Sequence, residues 1–105
     1  MIQQLSVEEL KRWQDEGKPF RLLDVRFAEE KVAADLGGPL IPLPELEQRW
    51  REIQSGEGPL VVYCHHGVRS LHACGFLRVV GVEAMNLRGG IDAWSIQIDP
   101  DIPRY

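Results

Sequence analysis

The residues best suited to chemistry form one short segment that follows an apolar run. The segment comprises Cys64, His65, His66, Gly67, Val68, Arg69 and Ser70. A cysteine thiolate is a strong nucleophile at neutral pH when backbone N–H groups and cationic neighbours stabilise its charge. We therefore interpret Cys64 as a catalytic nucleophile, and residues 65–70 as a loop that binds an anionic substrate.

The elements on either side of this segment should position the cysteine. Residues 59–63 form a short β-branched run bounded by Gly58, which predicts a buried strand. Apolar side chains then recur at helical spacing, at Leu71, Cys74, Leu77 and Val80. Gly81 is expected to end that helix, and Ser70 is expected to be its N-cap. A cysteine between a strand end and a helix start meets backbone N–H groups and the positive end of the helix dipole.

This loop resembles the nucleophile loop of the rhodanese-like sulfurtransferase family, and three further segments carry the same resemblance. Residues 22–26 together with Glu30 are similar to the family's Asp-x-Arg strand end, and residues 40–43 to its short third strand. Residues 87–94 resemble its closing Gly-Gly…Trp signature. The segments follow the family order and span nearly all of the chain. Residues 34–38 depart from it, because they lack the family's His-Ile-Pro-Gly-like turn.

The resemblance implies transfer of sulfane sulfur without a cofactor or a metal. Cys64 would attack the outer sulfur of a donor such as thiosulfate, and the resulting Cys64 persulfide would pass sulfur to cyanide or to a thiol. The implied partners are a small sulfur-containing anion and a thiol or protein sulfur acceptor. Backbone N–H groups of residues 65–70 would stabilise the anionic sulfur, assisted by Arg69 and by protonated His65 or His66.

The order of elements predicts a rhodanese-like α/β fold, in which a five-stranded, mainly parallel sheet is flanked by helices on both faces. Strands are expected at residues 2–5, 20–25, 40–41, 61–63 and 84–87. Helices are expected at residues 6–16, 28–34, from 44 onward, 71–81 and around 91–94. Ligands of such sheets bind at the carboxyl ends of the strands, where Cys64, Asp24 and the pair Gly89 and Gly90 would arrive. We expect residues 1–105 to form a single domain.

Four residues are expected to support the site rather than to react. Asp24 and Arg26 follow the second predicted strand, where an acidic side chain usually accepts backbone N–H bonds and fixes the turn. Gly89 and Gly90 are expected to allow the last loop to approach the nucleophile closely, and Gly67 to adopt a positive φ in the loop.

Other interpretations of the same residues stay open. Phosphatases and arsenate reductases use a Cys-x5-Arg loop, but only four residues separate Cys64 from Arg69, and this shorter loop favours sulfur. Some rhodanese-like domains are non-catalytic binding or regulatory modules, which usually lack the loop cysteine. The adjacent histidines could be exposed residues without a role, and their spacing does not favour zinc. Cys74 is expected to pack in the core rather than to act as a resolving thiol.

Composition limits the classes of partner. The net charge of −4 gives no general attraction to nucleic acid or to a membrane, so any anion binding must be local. A hydrophobic content of 44% excludes a disordered chain. The chain has two cysteines and neither a leader-like segment nor a long apolar one, so we expect a cytoplasmic protein in a reducing compartment.

Overall fold

Four short parallel strands form the sheet, and the computed structural model describes all of residues 1–105. The strands are β1 (Gln3–Leu5), β2 (Arg21–Asp24), β3 (Leu60–Tyr63) and β4 (Met85–Leu87). Their order across the sheet is β1-β4-β3-β2. All of β3 is buried, as expected for an inner strand covered on both faces. The register pairs Asp24 with Tyr63, so β2 and β3 end at the same edge.

Five α-helices connect and cover the strands. They are α1 (Val7–Asp15), α2 (Ala28–Ala33), α3 (Leu46–Arg49), α4 (Val68–Val79) and α5 (Gly90–Gln97). Ser6 and Glu9 form a reciprocal capping box at the start of α1, within the helix predicted at residues 6–16. None of these helices combines the length and apolar composition that a bilayer crossing requires.

The core consists of two layers, one on each face of the sheet. Side chains alternate along a strand, so Val62 of β3 packs with α3 and α4 while its neighbours Val61 and Tyr63 pack with α1 and α5. Leu77 of α4 and Trp94 of α5 are buried in these two layers. The predicted α/β class, with helices on both faces of a parallel sheet, is therefore confirmed.

The number of strands is a correction to the sequence analysis. The predicted strand at residues 40–41 is reduced to an isolated parallel bridge between Leu40 and Asp24. Pro39 has no N–H to donate to β2, so a regular ladder cannot extend toward the start of β2. In the other direction the N–H of Arg26 donates to Asp24 Oδ1, and the N–H of Leu43 donates to the carbonyl oxygen of Val25, so the regular ladder ends there. The sheet therefore has four strands instead of five.

Two helix boundaries also differ from the predictions. The helix expected from Pro44 onward is broken into 3₁₀ turns at Leu43–Glu45 and Trp50–Glu52 on either side of α3. Ser70 is not an N-cap, because α4 already begins at Val68 and is capped by Gly67 in the left-handed region. The side chain of Ser70 is consequently turned into the protein, where it is fully buried.

Candidate active site

Cys64 lies directly after β3 and is almost completely buried, with 1% of its surface exposed. Its sulfur accepts hydrogen bonds from two backbone N–H groups, that of Gly67 at 3.1 Å and that of Ser70 at 3.3 Å. Gly67 adopts a φ of +100°, a backbone conformation that residues with a Cβ rarely adopt. This conformation turns the loop back over the sulfur. The loop therefore cradles Sγ with donors at the N-terminus of α4, an arrangement that favours negative charge on sulfur.

Asn86 of β4 fixes the hydroxyl of Ser70 beside the nucleophile. Its Nδ2 donates to the carbonyl oxygens of Gly67 at 3.1 Å and of the Gln4 side chain at 2.8 Å. Its Oδ1 therefore accepts the hydrogen bond from the Ser70 hydroxyl. The Ser70 hydroxyl oxygen lies 3.3 Å from Cys64 Sγ. The sequence analysis did not identify Asn86, although a polar residue inside an apolar strand was the available signal.

The first residues of α5 hold the nucleophile loop in place by hydrogen bonds to its backbone. The N–H groups of Ile91 and Asp92 donate to the carbonyl oxygens of Cys64 and His65 at 3.0 and 3.1 Å. A Cβ on Gly90 would lie 2.5 Å from both of these oxygens, and the residue has a φ of +62°. Only glycine fits this position without displacing the backbone that carries Cys64.

Asp24 and Arg26 form a fully buried ion pair beneath the site. Arg26 donates from Nε and Nη2 to the two carboxylate oxygens at 2.9 and 2.8 Å, and its backbone N–H donates to Oδ1 at 3.0 Å. Arg26 also donates to the carbonyl oxygen of Ala34 at 2.8 Å. Both charges are thus occupied by protein partners, and the pair acts as a cross-link that shapes the turn after β2.

Arg69 lies at the rim of the loop, where Glu30 of α2 holds it. The guanidinium donates from Nη1 and Nη2 to the two carboxylate oxygens at 2.6 and 2.8 Å, a bidentate geometry. These hydrogen bonds lower the pKa of Glu30 to about 2. The sequence predicts that Arg69 assists in stabilising the anionic sulfur, and in the structure its guanidinium is paired with Glu30.

Comparison with known proteins places this arrangement in a family. A family model described as Rhodanese-like domain matches residues 6–97. The chain belongs to the rhodanese-like family. The similarity covers nearly the whole fold, including the Cys64 loop and the start of α5, so the resemblance noted from the four sequence segments is confirmed.

Several rhodanese-like relatives carry sulfurtransferase names. A protein named Sulfurtransferase from Allochromatium vinosum is 31% identical over 97 residues, which cover 90% of each chain. The maize protein Adenylyltransferase and sulfurtransferase MOCS3-1 is 37% identical over 109 residues. That match covers 96% of this chain and 23% of the maize protein, so the chain spans about a quarter of the length of this relative.

Solved structures show the same fold. A rhodanese-like domain protein from Staphylococcus aureus superposes with a TM-score of 0.79 at 30% identity, covering 89% of this chain and 91% of that one. The human single-domain sulfurtransferase TSTD1 superposes with a TM-score of 0.73 at 28% identity, covering 92% and 98%. Both superpositions extend over nearly the whole of this chain and of the solved domains, so they support the rhodanese-like fold.

The two loop histidines differ in their surroundings. The ring of His65 lies between those of His66 and Tyr105, at centroid distances of 3.9 and 4.0 Å. Burial lowers the pKa of His65, with a further contribution from His66, and its Nε2 is buried without a hydrogen-bond partner. This environment favours neutral His65, contrary to the suggested role of a protonated His65. His66 is exposed, and its Nε2 lies 3.7 Å from Asp92.

One group of side chains near this rhodanese-like loop offers ligand atoms that a metal ion could use. The atoms belong to His65, His66 and Asp92 and lie within 4.8 Å of one another. Asp92, however, already accepts hydrogen bonds from Arg104 at 2.9 and 3.3 Å. A cation would have to displace this arginine, so the donor set fits an ion poorly.

Two cavities lie away from the Cys64 loop. The larger, of about 650 Å³, is lined by the first residues of all four strands, Gln3, Arg21, Leu60 and Met85. The smaller, of about 510 Å³, lies between residues 20–23 and residues 52–56. Neither is lined by any residue of the loop that follows β3.

Proposed function

We propose that this chain is a sulfurtransferase that carries sulfane sulfur as a persulfide on Cys64. The observation that carries the proposal is the pair of N–H groups, from Gly67 and Ser70, that donate to Cys64 Sγ. Both the thiolate that attacks a donor and the persulfide that follows are anionic sulfur species. Fixed backbone donors stabilise such charge without reorganising during the reaction. Membership of the rhodanese-like family and the names of the relatives support the same conclusion.

The first half-reaction loads the enzyme. The Cys64 thiolate attacks the outer sulfur of thiosulfate, and a bond forms between Sγ and that sulfur. The sulfur–sulfur bond of the donor breaks, and sulfite leaves with the bonding electron pair. Because the negative charge moves onto the terminal sulfur, the N–H donors of the loop face an anionic sulfur throughout the step.

The second half-reaction unloads it. Cyanide or a thiolate attacks the terminal sulfur of the Cys64 persulfide, and a bond forms to that sulfur. The bond from Sγ breaks, and its electron pair returns to Cys64 as the thiolate. Thiocyanate is the product with cyanide, and a persulfide is the product with a thiol. No redox partner is needed, because in each step the attacking group supplies an electron pair for the new bond and the leaving group, sulfite or the Cys64 thiolate, takes an electron pair from the bond that breaks.

The structure also supports sulfur over phosphate as the substrate. A phosphatase loop needs an arginine that is free to contact the oxyanion through two hydrogen bonds. Here both terminal nitrogens of Arg69 are directed at Glu30, and the loop from Cys64 is one residue shorter than the Cys-x5-Arg pattern. Hydrolysis of a phosphate ester would therefore require both a longer loop and a released arginine.

Intact-mass measurement of the reduced protein after incubation with thiosulfate tests the proposal. We expect a gain of one sulfur atom that cyanide removes, and we expect Cys64→Ser to lack it while keeping its fold. Cys74→Ala is the matched control and should gain the sulfur normally. Absence of any sulfur gain with thiosulfate, glutathione persulfide and a protein persulfide would contradict the proposal. Turnover of p-nitrophenyl phosphate in place of sulfur transfer would favour the phosphatase alternative.

A further inference from the structure

Residues 99–105 fold back over the rim of the Cys64 loop. Arg104 donates to Asp92 at the start of α5, and the Tyr105 ring lies almost parallel to the His65 ring, with an angle of 9° between the planes. These contacts place Tyr105 against the nucleophile loop although it lies far away in the sequence. Nothing in the proposed chemistry uses this residue.

The hydroxyl of Tyr105 joins two charged groups of the site. An arginine can only donate and a carboxylate can only accept, so the hydroxyl accepts from Arg26 Nη1 at 2.9 Å and donates to Glu30 Oε2 at 2.8 Å. The same Glu30 oxygen accepts from Arg69. Tyr105 therefore links the buried Asp24–Arg26 pair to the arginine at the rim of the loop.

The charge balance at Glu30 decides how much positive potential Arg69 offers to an anion. A carboxylate that receives a hydrogen bond from Tyr105 shares its negative charge among more donors. Without that hydrogen bond, Arg69 and the backbone N–H of Phe27 would be the remaining donors. The carboxylate would then neutralise Arg69 more fully, and the rim would attract an anion less.

We propose that Tyr105 is a positioning residue for the anionic sulfur donor, acting through Glu30 on Arg69 and through ring stacking on His65. This inference rests on the proposed sulfur transfer, and it adds a residue that the sequence motifs of the loop do not contain. The hydroxyl and the ring have separate effects, so they can be tested with different substitutions.

Steady-state kinetics with thiosulfate test the hydroxyl. We expect Tyr105→Phe to raise the KM for thiosulfate about twofold, with kcat nearly unchanged. This effect is smaller than the loss of a direct hydrogen bond to a charged group, because the hydroxyl acts on the donor only through Glu30 and Arg69. Asp101→Ala, at an exposed tail residue whose side chain forms no hydrogen bond or ion pair, is the control and should behave as wild type. An unchanged KM in Tyr105→Phe would overturn the role of the hydroxyl.

A double-mutant cycle separates this role from a structural one. In a Glu30→Gln background the carboxylate charge is gone, so Tyr105→Phe should no longer raise the KM. A rise of the same size in both backgrounds would show that the tyrosine acts by some route other than Glu30, and would overturn the inference.

Titration of the His65 imidazole resonances by NMR tests the ring. Burial under Tyr105 should be lost in Tyr105→Ala and kept in Tyr105→Phe, so only the alanine variant should raise the His65 pKa toward its ordinary value. The charged or titratable groups that also face His65 are His66, Asp92, Glu30 and Arg69. An unchanged His65 pKa in Tyr105→Ala would contradict the positioning of His65.

The two proposals fail in different ways. If wild type takes no sulfur from any donor, the proposed function fails, while the NMR titration still tests the contact between Tyr105 and His65. If wild type transfers sulfur and the Tyr105 variants match it in KM and in His65 pKa, the proposed function stands and the inference about Tyr105 is wrong.

Discussion

Replacing Glu30 with glutamine should make the protein less stable and its anion site more attractive. Glutamine keeps the size of the side chain but loses the charge that holds Arg69. The pKa of Glu30 is lowered from an ordinary value of 4.5 to about 2, chiefly by the hydrogen bonds from Arg69. A depression of this size corresponds to about 3 kcal/mol if none of it is screened. The side chains of Glu30 and Arg69 are 16% and 31% exposed, so solvent screening leaves an expected loss of about 1–2 kcal/mol.

The sign of the pH dependence follows from the lowered pKa. The stabilisation by Glu30 is complete above the ordinary pKa of 4.5 and is lost as the pH falls toward about 2. Wild type and Glu30→Gln should therefore differ most near neutral pH and converge in acid. Urea unfolding followed by tryptophan fluorescence, at a series of pH values, measures this difference. Glu57→Gln, an exposed position without an ion pair, is the control.

The same substitution has an opposite effect on substrate binding. Without the carboxylate, the guanidinium of Arg69 is no longer neutralised, and the KM for thiosulfate should fall about threefold, as expected for one additional unpaired cation near an anion site. A stability difference that stays constant from neutral pH to acid would refute the assignment of the ion pair. An unchanged or higher KM would refute the claim that Glu30 limits the attraction of the loop for anions.

Two further substitutions and one labelling experiment test the rest of the site. Gly90→Ala should cost about 3 kcal/mol of stability and abolish sulfur loading, because its Cβ would lie 2.5 Å from the carbonyl oxygen of Cys64 at a φ of +62°. Gly75→Ala, whose Cβ would meet open space within α4, should instead add up to about 1 kcal/mol, and equal effects of the two in urea unfolding would contradict this account. Iodoacetamide should label Cys64 and spare Cys74 in the native protein, because burial raises the pKa of Cys74 to about 12. Peptide mass mapping measures both rates, and labelling of Cys74 as fast as that of Cys64 would exclude its packing role.

The parts of the site that lie close together in sequence were predictable. The change from a β-branched run to helical spacing around Cys64 located both β3 and α4, and the family resemblance located the approach of Gly90. The misplaced N-cap at Ser70 has a physical origin, because sequence patterns favour serine at caps and do not show that Gly67 can cap the helix through a positive φ. The fifth strand was predicted from the apolar pair Leu40 and Ile41, although the prolines on either side of this pair disfavour a strand.

The parts that depend on packing could not be predicted from local pattern. Glu30 and Arg69 are 39 positions apart, and Glu30 and Tyr105 are 75 apart, so no periodicity links them. Asn86 is different, since a polar residue between Met85 and Leu87 did signal a buried polar contact. Its partners became apparent only when the fold brought β4 beside the loop after β3.

The arrangement of charge explains why backbone N–H groups, rather than side chains, stabilise the sulfur of Cys64. Arg26 is paired with Asp24, Arg69 is paired with Glu30, and burial favours the neutral form of His65. The donors that contact Sγ directly are therefore N–H groups that carry no titratable proton. Such donors hold an anionic sulfur equally well over a wide pH range, and they keep their positions because Gly90 and the start of α5 hold the loop. Side-chain charges at the rim, adjusted by Tyr105 and Glu30, are then free to set the affinity for the donor without altering the nucleophile.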